Sequence, residues 1–94
     1  MNQLEEARLK INEIDKAMAE LFSKRMEAVQ QVIAYKLKTG MAIFDSSREE
    51  EVIQRNLAYI HSEHLKEYYR EYILTIMSIS KSYQQDILDQ NKRN

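Results

Sequence analysis

A single glycine and no proline in 94 residues constrain this chain more than any motif it carries. Glycine supplies left-handed backbone at turns, and proline locks φ and removes a donor, so both punctuate a polypeptide. Their near absence predicts few turns and long, uninterrupted helices. The apolar pattern agrees. From Leu4 to about Lys38 it runs at helical spacing through Leu4, Ala7, Ile11, Ile14, Met18, Leu21, Phe22, Ala28, Val29 and Val32. Gly40 sits where a C-terminal helix cap belongs. After the apolar loop Met41-Ala42-Ile43-Phe44, Ser47 and Glu50 form a capping-box signature, predicting a second helix to about Ile60. A polar break at His61-Ser62-Glu63 precedes a third pattern from about His64 to Gln90, carried by Leu65, Tyr69, Tyr72, Ile73, Ile76, Met77, Ser80, Tyr83, Gln84 and Ile87. Residues 91–94 are expected to fray. The expectation is an all-α fold: one domain over residues 1–94, with a long first helix, a short second and a long third.

The first helix then sets the assembly. Some 36 residues at about 1.5 Å each span roughly 54 Å. A compact globule of this size has a radius of gyration near 12 Å, hence a diameter of only about 30 Å. The helix must project from any monomeric globule and carry its apolar stripe with it. A second copy of the chain is the simplest cover, so an intertwined homodimer is expected.

Composition narrows the function. Fourteen basic against fifteen acidic residues give a net charge of −1, without the basic excess that nucleic acid or membrane surfaces attract. No cysteine is present, so no disulfide framework or thiolate metal site is expected. The charged opening MNQLEEARLKINEID does not read as a secretory signal, and no apolar run reaches membrane-span length. A cytoplasmic location is the expectation. His61 and His64 lack a nearby carboxylate pair and read as solvated residues of a turn. Tyr68, Tyr69 and Tyr72 read as packing surface between subunits.

Polar residues on apolar faces are the candidates for chemistry. Arg8, Arg25 and Lys36 interrupt the first helix's stripe. One reading is snorkelling, in which aliphatic stems cover the core while charged heads reach water. The other is an anion site. Arg25 and Lys36 lie about 20° apart around the helix and roughly 16 Å along it, so both can face one small molecule. Arg8 is about 25 Å from Arg25, beyond reach within one chain, but an antiparallel partner brings the two together. Such cationic pockets suit a small multivalent anion. On the third helix Ser80 and Gln84 share the face of Ile73, Ile76, Met77 and Ile87, whereas Lys81 and Gln85 fall on the flank and read as solvated.

These same residues carry a resemblance to the all-helical, AroQ-class chorismate mutases. It runs through Leu4-Glu5-Glu6-Ala7-Arg8 with Ile11 and Ile14-Asp15, then Leu21-Phe22-Ser23-Lys24-Arg25-Met26, then Tyr35-Lys36 and Gly40. It continues in Asp45-Ser46-Ser47-Arg48-Glu49, similar to the family's Asp-x-x-Arg-Glu, and in Ser80-Lys81-Ser82-Tyr83-Gln84, similar to its Ser-x-x-x-Gln. Ser46 stands where a proline is common, which bears on loop rigidity. The interval of Lys81 with Gln85 equals that of Ser80 with Gln84, and the helical face favours the latter pair.

The resemblance implies a cofactor-free, metal-free enzyme converting chorismate to prephenate in phenylalanine and tyrosine biosynthesis. It implies that Arg25 and the partner subunit's Arg8 hold the substrate carboxylates, assisted by Arg48 and Ser80. Lys36 and Gln84 would bond the ether oxygen, Glu49 the ring hydroxyl, with backbone around Asp45 helping. A pericyclic rearrangement needs no nucleophile or proton transfer, and the chain offers no evident constellation for either. Two other readings stand beside it: an isochorismate pyruvate-lyase on the same scaffold, and a non-catalytic helical dimer or regulatory module.

Overall fold

The computed structural model describes residues 1–93 and contains three helices: α1 (Gln3–Thr39), α2 (Ser46–Ala58) and α3 (Glu63–Arg93). The fold is all-α, as the single glycine and the absence of proline predict. Among the described residues, no helix is long and apolar enough to cross a membrane.

The helix ends follow local hydrogen-bond chemistry. The Asn2 side chain caps α1 by accepting from the Glu5 N–H at 2.8 Å, satisfying a donor that has no partner within the helix. At the other end Gly40 takes the left-handed conformation (φ 74°), and its N–H returns to the Lys36 carbonyl. Two expectations are corrected here. Asp45, and not Ser47, caps α2: its Oδ1 accepts from the Ser47 N–H (3.1 Å), the Arg48 N–H (3.2 Å) and the Ser47 hydroxyl (2.8 Å). A charged acceptor two to three residues ahead of those amides outcompetes the serine hydroxyl, which becomes a donor to it. The Ser47–Glu50 capping box therefore does not form, and Glu50 instead accepts from Gln54. At the C-terminal end α3 continues to Arg93, so residues 91–93 are helical; Asn94 lies outside the described residues.

Helix α3 is the element against which both others pack; α1 and α2 make no comparable contact with each other among the described residues. It runs parallel to the C-terminal half of α1, since Arg25 meets Ser80 and Gln30 meets Tyr83. It runs antiparallel to α2, since Glu49 meets Lys81 and Asn56 meets Tyr69. The core is small. Ile53, Ile73 and Met77 form its centre, flanked by Val52, Leu57, Tyr69 and Ile76, while Val29 and Ile33 are the buried residues of α1. Ile33 is the most deeply buried of these, at 2% exposure, although the stripe read from spacing passes through Val29 and Val32.

The N-terminal part of α1 has no cover within the chain. Every residue from Gln3 to Lys24 is exposed, including Leu4, Ile11, Ile14, Met18, Leu21 and Phe22. The molecule measures 55 × 28 × 15 Å with a radius of gyration of 16.9 Å, against roughly 12 Å for a compact chain of this length. Its long axis matches the length of α1.

Gly40 offers a clean test of the cap. Nothing lies within 4 Å of a Cβ built there, so a side chain meets no steric neighbour and only the backbone conformation resists it. Gly40→Ala is expected to destabilise the fold by about 1 kcal/mol, the cost of left-handed backbone for an L-residue. The urea midpoint at fixed protein concentration measures it, and an unchanged midpoint contradicts the cap assignment.

Candidate active site

A cavity of about 200 Å³ lies where α3 meets the C-terminal half of α1, the connection after it and the first turns of α2. It is smaller than the roughly 300–1,000 Å³ of most small-ligand sites. Val29, Val32, Ile43, Val52 and Met77 form its apolar walls. Arg25, Lys36, Asp45, Arg48, Glu49, Ser80, Lys81 and Gln84 supply its polar lining. Seven of the eight residues singled out from sequence thus converge here. The eighth, Arg8, lies on the uncovered part of α1 and is exposed, outside the cavity of its own chain.

Each polar group is held by a specific contact. Arg25 is half-buried, and its Nη1 donates to the Ser80 hydroxyl oxygen. That hydroxyl donates in turn to the Ile76 carbonyl at 3.0 Å, so its lone pairs are left facing the guanidinium. Ser80 thereby orients Arg25. Lys36, in the last turn of α1, donates from Nζ to the Ile43 carbonyl at 2.8 Å. An ammonium has three N–H donors, so two remain for a ligand. Gln84 is 7% exposed; its Nε2 donates to the Ser80 carbonyl at 3.3 Å, and its Oε1 is buried with no partner among the described residues. A buried polar atom without a partner is uncommon in a folded protein and marks an amide whose environment is incomplete. Gln85 is exposed and bonds Asp89, so Ser80 and Gln84 form the inward pair.

Arg48 behaves differently. It is exposed and bonds Glu51 at 3.0 Å, an exposed contact of the kind that contributes at most about 1 kcal/mol and is easily exchanged. Lys81 corrects an expectation. Read from sequence as a solvated flank residue, it is half-buried, pairs with Glu49 at 2.8 Å and lies 5.2 Å from the Phe44 ring centroid. The signal was present: Lys81 follows Met77 by four residues, only about 40° around the helix from a core position.

The lining carries Arg25, Lys36, Arg48 and Lys81 against Asp45 and Glu49, an excess of two positive charges in a chain whose net charge is −1. The free hydrogen-bonding capacity is mostly N–H on guanidinium, ammonium and amide. Such an arrangement is chemically suited to a small anion and to negative charge developing on an oxygen within it.

A family model for chorismate mutase type II matches residues 7–85. The chain belongs to that family. The match covers more than four-fifths of the chain, from beside Arg8 to just past Gln84, and supports chorismate mutase-type activity. Searches of curated proteins and of solved structures give no match.

Within this chorismate mutase domain Asp45 has a structural task. The Ser47 hydroxyl, then the Arg48 and Ser47 amides, with the Lys36 charge behind them, hold its carboxyl below the usual carboxylate range. A carboxyl depressed in the folded state contributes stability in full above its unfolded pKa of about 3.9 and loses it as pH falls through the lower folded value. Asp45→Ala is therefore expected to melt at a lower temperature than the parent near neutrality. The gap should narrow as pH falls below about 4. Thermal melts followed by circular dichroism across pH check this; a gap that is constant with pH contradicts the carboxylate cap.

Proposed function

We propose that the protein is a chorismate mutase that rearranges chorismate to prephenate, in the branch leading to phenylalanine and tyrosine, and works as a homodimer. The observation that carries this reading is the donor cluster of Arg25, Lys36 and Gln84, gathered in one net-positive cavity and held by Ser80 and Ile43. The substrate is a dianion whose ether C–O bond breaks as a C–C bond forms in one cyclic step. Arg25 takes one carboxylate, oriented by Ser80, and Arg48 swings from its exposed pair with Glu51 to assist. Lys36 uses its remaining N–H groups on the ether oxygen. Gln84 exchanges its long bond to the Ser80 carbonyl for the same oxygen. Glu49 accepts the ring hydroxyl, and the Asp45 cap holds the backbone beneath it.

A million-fold acceleration requires about 8 kcal/mol. Losing one preorganised donor to developing charge typically costs about 10²–10³-fold. Two such donors, plus clamps that hold the flexible side chain of the substrate over its ring, account for that total.

The uncovered half of α1 supports the dimer. Its apolar side chains need burial, the cavity is small for its task, and Arg8 is stranded about 25 Å from Arg25. A two-fold partner laid antiparallel along α1 covers the stripe and brings Arg8 of the partner subunit to the second substrate carboxylate. Glu49 favours the mutase over an isochorismate pyruvate-lyase, because a carboxylate there matches the hydroxyl position of chorismate. A non-catalytic dimer leaves the cations of the cavity without a task. Purified protein should consume chorismate with formation of prephenate and should release no pyruvate from isochorismate.

The shared site has a direct test. Sedimentation should give twice the 11.2 kDa chain mass. Arg8→Ala and Arg25→Ala homodimers should each be nearly inactive, since each loses a carboxylate clamp in both sites. Heterodimers of the two variants carry both lesions in one site and neither in the other, so activity should recover toward half the parental value. Heterodimers that form but stay inactive exclude a site built from both chains.

The donor role of Gln84 is tested by Gln84→Glu. A carboxyl donates to the ether oxygen only when protonated, and when ionised it repels the charge developing there. Activity near neutrality should fall roughly 10²-fold or more, the scale of one oxyanion-type donor. Burial and the substrate's anions raise the pKa of the introduced carboxyl, so activity should recover as pH falls toward it. Lys36 opposes that rise, so the direction of recovery is the expected outcome, with no fixed midpoint. Parental activity at neutral pH, or no gain on acidification of folded protein, removes Gln84 from the ether oxygen.

A further inference from the structure

Lys81 stands apart from the residues discussed so far, because no step of the rearrangement needs it. Its ammonium lies 2.8 Å from Glu49 Oε1, joining α3 to α2. The other ion pairs among the described residues, Arg48–Glu51, Arg55–Glu51 and Lys66–Glu63, each lie within one helix. Glu49 has no other side-chain partner within hydrogen-bond distance among the described residues. Its side chain is 24% exposed and that of Lys81 is 40% exposed, so the pair sits at the mouth of the cavity they both line. A pair this accessible to water contributes little to folding. Its geometric effect is larger, because a glutamate near the start of α2 has several rotamers and the ammonium selects among them.

We propose that Lys81 is a positioning residue: by holding one oxygen of Glu49 it presents the other to the ring hydroxyl of the substrate. The proposal rests on the reading of Glu49 given under Proposed function. The Phe44 ring, 5.2 Å from the same ammonium, adds a second anchor that keeps Lys81 over the cavity mouth. Lys81 and Ile43 also line the larger neighbouring cavity of about 550 Å³, so the Lys81 side chain stands in the partition between the two.

A competing effect has to be separated from this one. Lys81 is also a cation near a dianionic substrate, and its charge alone attracts that substrate whatever Glu49 does. A double-mutant cycle distinguishes the two. Lys81→Met keeps the aliphatic stem and removes the charge. It is expected to lower kcat/KM for chorismate about tenfold, less than the 10²-fold that a full 1 Å misplacement can cost. The loss should fall mainly on KM, because the ring-hydroxyl contact is made equally in substrate and transition state. Lys81→Arg, which retains a partner for the carboxylate, should recover most of it. In a Glu49→Gln background, Lys81→Met should change kcat/KM by less than about twofold, because the contact it serves is already lost.

Equal losses in both backgrounds overturn the proposal in favour of the charge alone, and parental kinetics for Lys81→Met overturn it outright. Helix content and melting temperature are followed in every variant, and Lys81→Gln replaces Lys81→Met in the cycle should the latter fail to fold. A parent protein that turns over no chorismate overturns the underlying reading of Glu49, and this proposal with it. Parental turnover with no coupling between Lys81 and Glu49 overturns this proposal alone.

Discussion

The structure depends on a mismatch of lengths. Helix α1 has 37 residues, but α3 packs only along its C-terminal half, and α2 packs against α3. With one glycine and no proline the chain has no means of folding α1 back on itself. The core therefore stays small, and much of the apolar surface that a globule of this size would bury lies instead along an exposed rod. Where α1 does pack, its last four turns line a cavity with α3 and the start of α2. The cavity lies at that three-way junction.

That junction turns neighbouring helices into a cation cluster. Arg25 and Lys36 stand on one face of α1, and the parallel course of α3 brings Ser80 and Gln84 beside them. Gathering cationic groups in one cavity is unfavourable because like charges repel, so other contacts must hold them in place. Here neutral acceptors hold them. The Ser80 hydroxyl orients the guanidinium, and the Ile43 carbonyl tethers the ammonium. Neither contact neutralises the charge, so it remains available to an anionic ligand. The two carboxylates of the cavity are already committed, Asp45 to the backbone of α2 and Glu49 to Lys81 on one of its oxygens. The protein has thus separated charges that position its own elements from charges left for a ligand.

Much of this was legible from residue spacing. Periodicity located the three helices to within a few residues, because each apolar face repeats over several turns and errors at single positions average out. The inward direction of Ser80 and Gln84 followed from the same repeat. Errors occurred where one local contact outweighed the average. The α2 cap passed from Ser47 to Asp45 because a carboxylate is the stronger acceptor. Lys81 lies four residues after the core position Met77, which brings it near the cavity, but its pairing with Glu49 of another helix is not written in the residues around it. Likewise Ile33 proved more buried than its neighbours on the stripe, since the face that matters is set by where α3 lies.

The sequence by itself determined the helices, their lengths, the stranding of Arg8 far from Arg25, and the polar residues that interrupt each apolar face. These follow from local backbone preference and from the repeat of 3.6 residues per turn, both of which act within one segment of chain. The tertiary structure alone decided which charges share a cavity, which of them are engaged, and that the Gln84 amide is buried with one atom unpartnered among the described residues. Those facts depend on the distance between segments remote in sequence. Such distances are set by packing, because side chains on three helices must fill one junction together, and no single helix carries that information in its own residues.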